Sequence, residues 1–137
     1  MRTLKTLILG LALLLTATAC GPQAYSLRGT PSAAGADGKL ELEKTEAGNY
    51  LLNLEVEHLA PASRIEAGKK VYVAWLVTED KAPVKLGKLA YDGDDREGKM
   101  VATTTEQAFI FRVTAEEGLD AEKPGGTVIF EQVVEAD

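Results

Sequence analysis

Four carboxylates fall within six residues at Asp92-Gly93-Asp94-Asp95-Arg96-Glu97. Calcium takes about six to eight oxygens, from loops that carry acids at alternate positions. Asp92 and Asp94 have that spacing, and Asp95 and Glu97 add oxygens, but Arg96 sets a cation at the third alternate position. The expectation is a solvated hairpin turn, with Asp92, Asp94, Asp95 and Glu97 as poor metal candidates. A second acidic stretch, Glu116-Glu117-Gly118-Leu119-Asp120-Ala121-Glu122, reads as a polar connection between strands. If both stretches share one end of the fold, they form a negative rim for a basic partner. His58 is the single histidine, and Ser63 nearby completes no triad, which needs an orienting acid as well. No catalytic residue is predicted. Trp75, mid-run between Ala74 and Leu76, is expected in the core; its rival role is to line a ligand groove. No glycine-rich loop leads from a strand into a helix, so nucleotide binding has no support, and no cofactor is expected.

The one cysteine is Cys20, which rules out an intrachain disulfide and thiol metal clusters. Its setting is informative. Arg2 and Lys5 precede the apolar run Leu7–Leu15, which ends in Thr16-Ala17-Thr18-Ala19. That is the basic, apolar and small-residue order of a secretory signal, and the run is shorter than the ~20 residues of a spanning helix. Ala17-Thr18-Ala19-Cys20 resembles the lipobox of bacterial lipoproteins, with Ala17 where Leu is usual and Leu15 two residues earlier. The resemblance implies cleavage before Cys20, acylation of Cys20 and a membrane as the first partner, since two acyl chains suffice for stable anchoring. The other reading is conventional cleavage after Ala19 with a free thiol. Gly21 follows the Cys where the lipoprotein pattern has Asp for inner-membrane retention, so a two-membrane host favours the periplasmic face of the outer membrane.

The chain has 137 residues, with 15 basic against 21 acidic. Without Arg2 and Lys5 the balance is 13 against 21, a formal charge of −8. Such a surface repels phosphate backbones and argues against nucleic acid as a partner. It also keeps a domain soluble.

Residues 21–38 are rich in Gly, Ala, Pro and Ser and are expected to form a flexible tether, with Ala24–Gly29 as one short strand inside it. From residue 39 the pattern has period two. Leu40 and Leu42 alternate with Glu41 and Glu43, and Tyr50, Leu52, Leu54 and Val56 with Leu51, Asn53, Glu55 and Glu57. Alternation of this kind marks half-buried strands, with Glu46–Asn49 as the turn. Val71–Val77 is apolar at every position and reads as a central strand covered on both sides. Further strands are predicted at 84–91, 99–105, 108–114 and 126–134. The expected fold is all-β: an antiparallel immunoglobulin-like β-sandwich of seven to eight strands over residues 39–137, with a small closed barrel as runner-up.

The segments Val71-Tyr72-Val73-Ala74-Trp75, Leu86-Gly87-Lys88-Leu89, Asp92–Gly98, Val113-Thr114-Ala115-Glu116 and Lys123-Pro124-Gly125-Gly126 follow one another in order. In that order they resemble the extracytoplasmic C-terminal domain of anti-sigma-K-type factors, over roughly residues 50–134. Those factors also carry a cytoplasmic sigma-binding helical domain and a spanning helix, for which this chain has no counterpart. The resemblance therefore implies an envelope sandwich with an interaction role and an envelope protein as partner. It does not imply anti-sigma activity. The expected function is a non-catalytic interaction or structural module on a lipid anchor; the alternative is a small-ligand or cation binder that uses the acidic loops or a cleft beside the central strand.

Overall fold

The computed structural model describes residues 21–137; the leader and Cys20 lie outside the described residues. The period-two segments form nine strands: β1 Gln23–Arg28, β2 Asp37–Lys44, β3 Tyr50–Glu57, β4 Val71–Val77, β5 Val84–Lys88, β6 Ala90–Asp92, β7 Glu97–Thr104, β8 Ala108–Glu116 and β9 Val128–Glu135. One helical turn, α1 (Ala62–Ile65), lies between β3 and β4. Among the described residues no helix is long and apolar enough to cross a membrane.

Two antiparallel sheets face each other, one in the order β1-β2-β3-β7-β6 and the other β5-β4-β8-β9. Setting aside β1, this is the A-B-E-D and C′-C-F-G order of an immunoglobulin-like sandwich. The inner faces supply one core, in which Leu40, Leu52, Leu54, Phe111, Val113 and Phe130 are wholly excluded from solvent. Alternation along β3 places Tyr50, Leu52, Leu54 and Val56 inward, as the sequence pattern predicts.

The structure differs from expectation at three places. Residues 21–38 are no tether. β1 pairs along its whole length with β2, from Gln23↔Leu42 to Arg28↔Asp37, and Leu27, Ala33 and Ala36 are buried. Gly29 N–H donates to the Ala36 carbonyl (2.8 Å), and Thr30 N–H to the Ile129 carbonyl (2.9 Å). Small residues here serve close packing: a Cβ on Gly29 would lie 2.1 Å from the Ala33 carbonyl oxygen. Second, the strand predicted at 84–91 is two strands. Leu89, buried between them, donates its N–H to the Tyr72 carbonyl as the chain crosses from one sheet to the other. These two features raise the strand count to nine. Third, β9 starts at Val128, because residues 117–127 cover a sheet face.

The sandwich is latched along one side and clamped at one end. On the side where β1 meets β9, Thr30 Oγ1 donates to the Val128 carbonyl (2.6 Å) and Gln23 Nε2 to the Glu135 carbonyl (2.8 Å). At the end formed by the β3–β4 crossover, the hydroxyl of Tyr72 donates to the Ala60 carbonyl and that of Tyr91 to the Leu59 carbonyl. The two rings meet edge to face at 5.4 Å. Burial, with Tyr91 alongside, pushes the Tyr72 phenol far above its ordinary range, so it stays a donor.

Leu27→Ala should cost about 2–4 kcal/mol of unfolding free energy, as in other buried Leu truncations. Chemical denaturation measures it; a loss below about 0.5 kcal/mol would restore a tether.

Candidate functional site

The outer face of the β5-β4-β8-β9 sheet carries the unusual chemistry. β4 is buried from Tyr72 to Leu76. Tyr72, Ala74 and Leu76 point into the inter-sheet core, whereas Val73 and Trp75 do not belong to that cluster although both are 0% exposed. They lie on the outer face, under a roof made by the β8–β9 loop.

A chain of hydrogen bonds fixes that roof. Trp75 Nε1 donates to Thr114 Oγ1 (2.9 Å), and Thr114 Oγ1 donates to Glu116 Oε1 (2.9 Å). The same carboxylate oxygen accepts the N–H groups of Gly125 (2.9 Å) and Gly126 (3.0 Å). Glu116 is only 4% exposed. Its three donors offset the cost of burying a charged group, and bonds to a carboxylate are among the stronger ones available to a loop. Gly126 is required for the approach: a Cβ there would lie 1.6 Å from the Ala115 carbonyl oxygen.

Lys85 closes the other flank. Its ammonium sits 5.8 Å from the centre of the Trp75 ring and donates to the Leu119 carbonyl. A bulge makes this possible. The register slips between Ala74 and Trp75, so that Trp75 faces Lys85 while Ala74 faces Gly87, with Gly87 at φ +150°. Leu86, the extra residue, packs against the core. At the far end of the loop, Glu66 Oε2 accepts from Thr127 N–H (3.1 Å) and Thr127 Oγ1 (2.8 Å). These bonds hold the Glu66 carboxyl below its ordinary value of 4.5.

Four of the motif segments singled out in the sequence therefore converge: the Trp strand, the Leu-Gly-x-Leu strand, the Val-Thr-x-Glu strand and the Pro-Gly-Gly turn. By its sequence Glu116 belongs to a polar connection between strands. It is the last residue of β8, on the same outward face as Thr114 and Arg112, and that shared alternation with Thr114 was the available signal. Between the roof loop and the end of the β3–β4 crossover lies an open cleft of about 850 Å³, lined by Lys69, Lys70 and Lys123 together with Glu116, Glu117, Asp120 and Glu122. Its charges are mixed. The Trp75 ring does not line it, being sealed beneath the loop.

The hairpin at Asp92 has a different use for its carboxylates. Asp92 Oδ1 accepts the N–H groups of Asp94 (2.9 Å) and Asp95 (3.4 Å), a turn closed on itself. Arg96, at φ +57°, passes its carbonyl to Leu59 N–H (3.0 Å). Asp94, Asp95 and Glu97 are exposed. Among the described residues, no three Asp, Glu, His or Cys side chains group as a metal site requires. His58, also at positive φ, sets Nδ1 3.5 Å from Asp37 Oδ2, with both side chains largely exposed. Ser63 stands on α1, and no hydrogen bond joins it to His58 among the described residues. Both acidic stretches do share one end of the sandwich, where β3, β6 and β8 finish and β4, β7 and β9 begin.

Compared with known proteins, the chain matches no family model, no curated protein and no solved structure.

Glu116→Ala strips three donors of their acceptor and should cost about 2–4 kcal/mol. The single tryptophan reports it directly: its emission should shift to longer wavelength as the roof lifts. An unshifted spectrum would mean that the loop is held by other means. A pH effect follows from Glu66. Its depressed carboxyl stabilises the fold fully above pH 4.5 and loses that contribution as pH falls through the lowered folded-state value. The gap in Tm between the native chain and Glu66→Gln should therefore be constant above pH 4.5 and narrow below it.

Proposed function

We propose that the chain is an envelope lipoprotein, anchored through lipid on Cys20, whose sandwich is a non-catalytic interaction or structural module. The observation that carries the reading is Ala17-Thr18-Ala19-Cys20 behind a basic start and an apolar run. The motif segments that carry the resemblance to the extracytoplasmic domain of anti-sigma-K-type factors meet in one Trp75–Glu116 network, and an interaction role is what that resemblance implies.

The start of β1 gives this anchor a consequence. Gln23 follows Cys20 by three residues, a span of at most about 10 Å. Lipid on Cys20 would hold the domain close to the bilayer, with one end toward it. That end bears the β2–β3 turn, the β4–β5 and β7–β8 loops and the C-terminus, as the pairings Lys44↔Tyr50, Val77↔Ile110 and Ala108↔Glu135 require. The opposite end, with α1, the Asp92 hairpin and the roof loop, would face away from the membrane.

Cys20→Ser should move the protein from the membrane fraction to the soluble fraction and abolish incorporation of labelled palmitate. Retention of both membrane binding and label would overturn the anchor.

A further inference from the structure

The outer face of the β5-β4-β8-β9 sheet is apolar beyond the reach of its roof. Val77, Ile110 and Val133 stand directly opposite one another across three strands. Val133 is 61% exposed, and Val77 and Ile110 are half-buried. A depression of about 440 Å³ runs beside them. The ion pair between Arg112 and Glu131 (3.1 Å) divides this row from the roofed half. Among the described residues the outer face of the other sheet offers no comparable row. Leu51 and Val101 there face Thr103 and Asn53 directly across the strands, and a few exposed apolar residues are ordinary on a surface.

The surroundings of the row are acidic. Glu79, Asp80 and Glu135 are exposed beside it. The two cations beside it are both paired, Lys81 with Glu106 at 2.6 Å and Arg112 with Glu131 at 3.1 Å. A second copy of the chain would bring the same charges together, and juxtaposed like charges at an interface cost several kcal/mol. An acyl-chain environment would have to dehydrate those carboxylates, which is expensive. Apolar side chains flanked by Lys or Arg satisfy both halves of the surface at once. We infer that the Val77–Ile110–Val133 row is a docking surface for a protein segment that alternates apolar and basic side chains.

The inference rests on reading the domain as an interaction module and does not require the lipid. The probe is a labelled synthetic peptide of about ten residues that alternates Leu and Lys, titrated against the full chain by fluorescence anisotropy. Binding should weaken about tenfold in Val133→Asp and change by less than about twofold in Val101→Asp on the opposite sheet. Charge reversal in Glu79→Lys/Asp80→Lys should weaken it as well, and serves as the second variant if Val133→Asp lowers Tm. The proposal is overturned by absent binding, by equal binding of a Ser–Lys peptide, or by indifference to both variants. It is also overturned if Val133→Asp abolishes self-association in sedimentation, which would make the occupant a second copy. The same holds if Val133→Asp abolishes flotation of Cys20→Ser with phosphatidylcholine vesicles, which would make it lipid. Loss of peptide binding only on changing Asp94 and Asp95 would move the interaction to the opposite end and leave the module reading intact. Fractionation of Cys20→Ser reports on the anchor separately.

Discussion

Val71–Val77 carries apolar side chains on both of its faces, and in a two-layer sandwich only one face meets the other sheet. Tyr72, Ala74 and Leu76 enter the core without further provision. Val73 and Trp75 would lie bare, and a fully exposed Trp forfeits on the order of 2–3 kcal/mol of burial. Most of the less regular structure in the C-terminal half answers that demand. The β8–β9 loop folds over the strand, Glu116 ties it down, Gly126 lets the backbone approach, and the bulge at Gly87 turns Lys85 over the ring.

Covering Trp75 with a loop creates a polar problem, because loops carry unpaired backbone groups. Thr114 and Glu116 resolve it from within β8. One hydroxyl bridges indole and carboxylate, and one carboxylate oxygen gathers three donors. Glu66 secures Thr127, the residue after Gly126, from the β3–β4 crossover. The same crossover is held by the hydroxyls of Tyr72 and Tyr91. Roof and crossover are thus joined into one end of the molecule, opposite to the end where β1 begins and β9 finishes.

The roof is short. It protects the half of the sheet nearest its own strand ends and leaves Val77, Ile110 and Val133 uncovered. A face that is sealed over one half and left apolar over the other has two environments. The first is part of the protein's stability. The second is surface whose burial remains available to something else, in a rim whose charge selects what that can be.

The alternation of Leu40 and Leu42 and of Tyr50 through Val56 determined the strands and their inward faces, because side chains alternate sides with period two whatever the context. The apolar run at Val71–Val77 determined that both faces of β4 would be covered over its middle, Tyr72 to Leu76. The sequence around Cys20 carries the whole case for an anchor, since it is a matter of residue type and order, and lies outside the described residues. Composition misled at residues 21–38: Ala33 and Ala36 are small because they pack, and Gly29 because the chain passes close to itself, facts that exist only when β2 and β9 are in place. The same limit hid Glu116. Its neighbours in sequence are acidic and solvated, and only tertiary folding brings Thr114, Gly125 and Gly126 to one of its oxygens. Local pattern decides which way a side chain points; what it meets there depends on segments far away in the chain, and only the tertiary structure decides that.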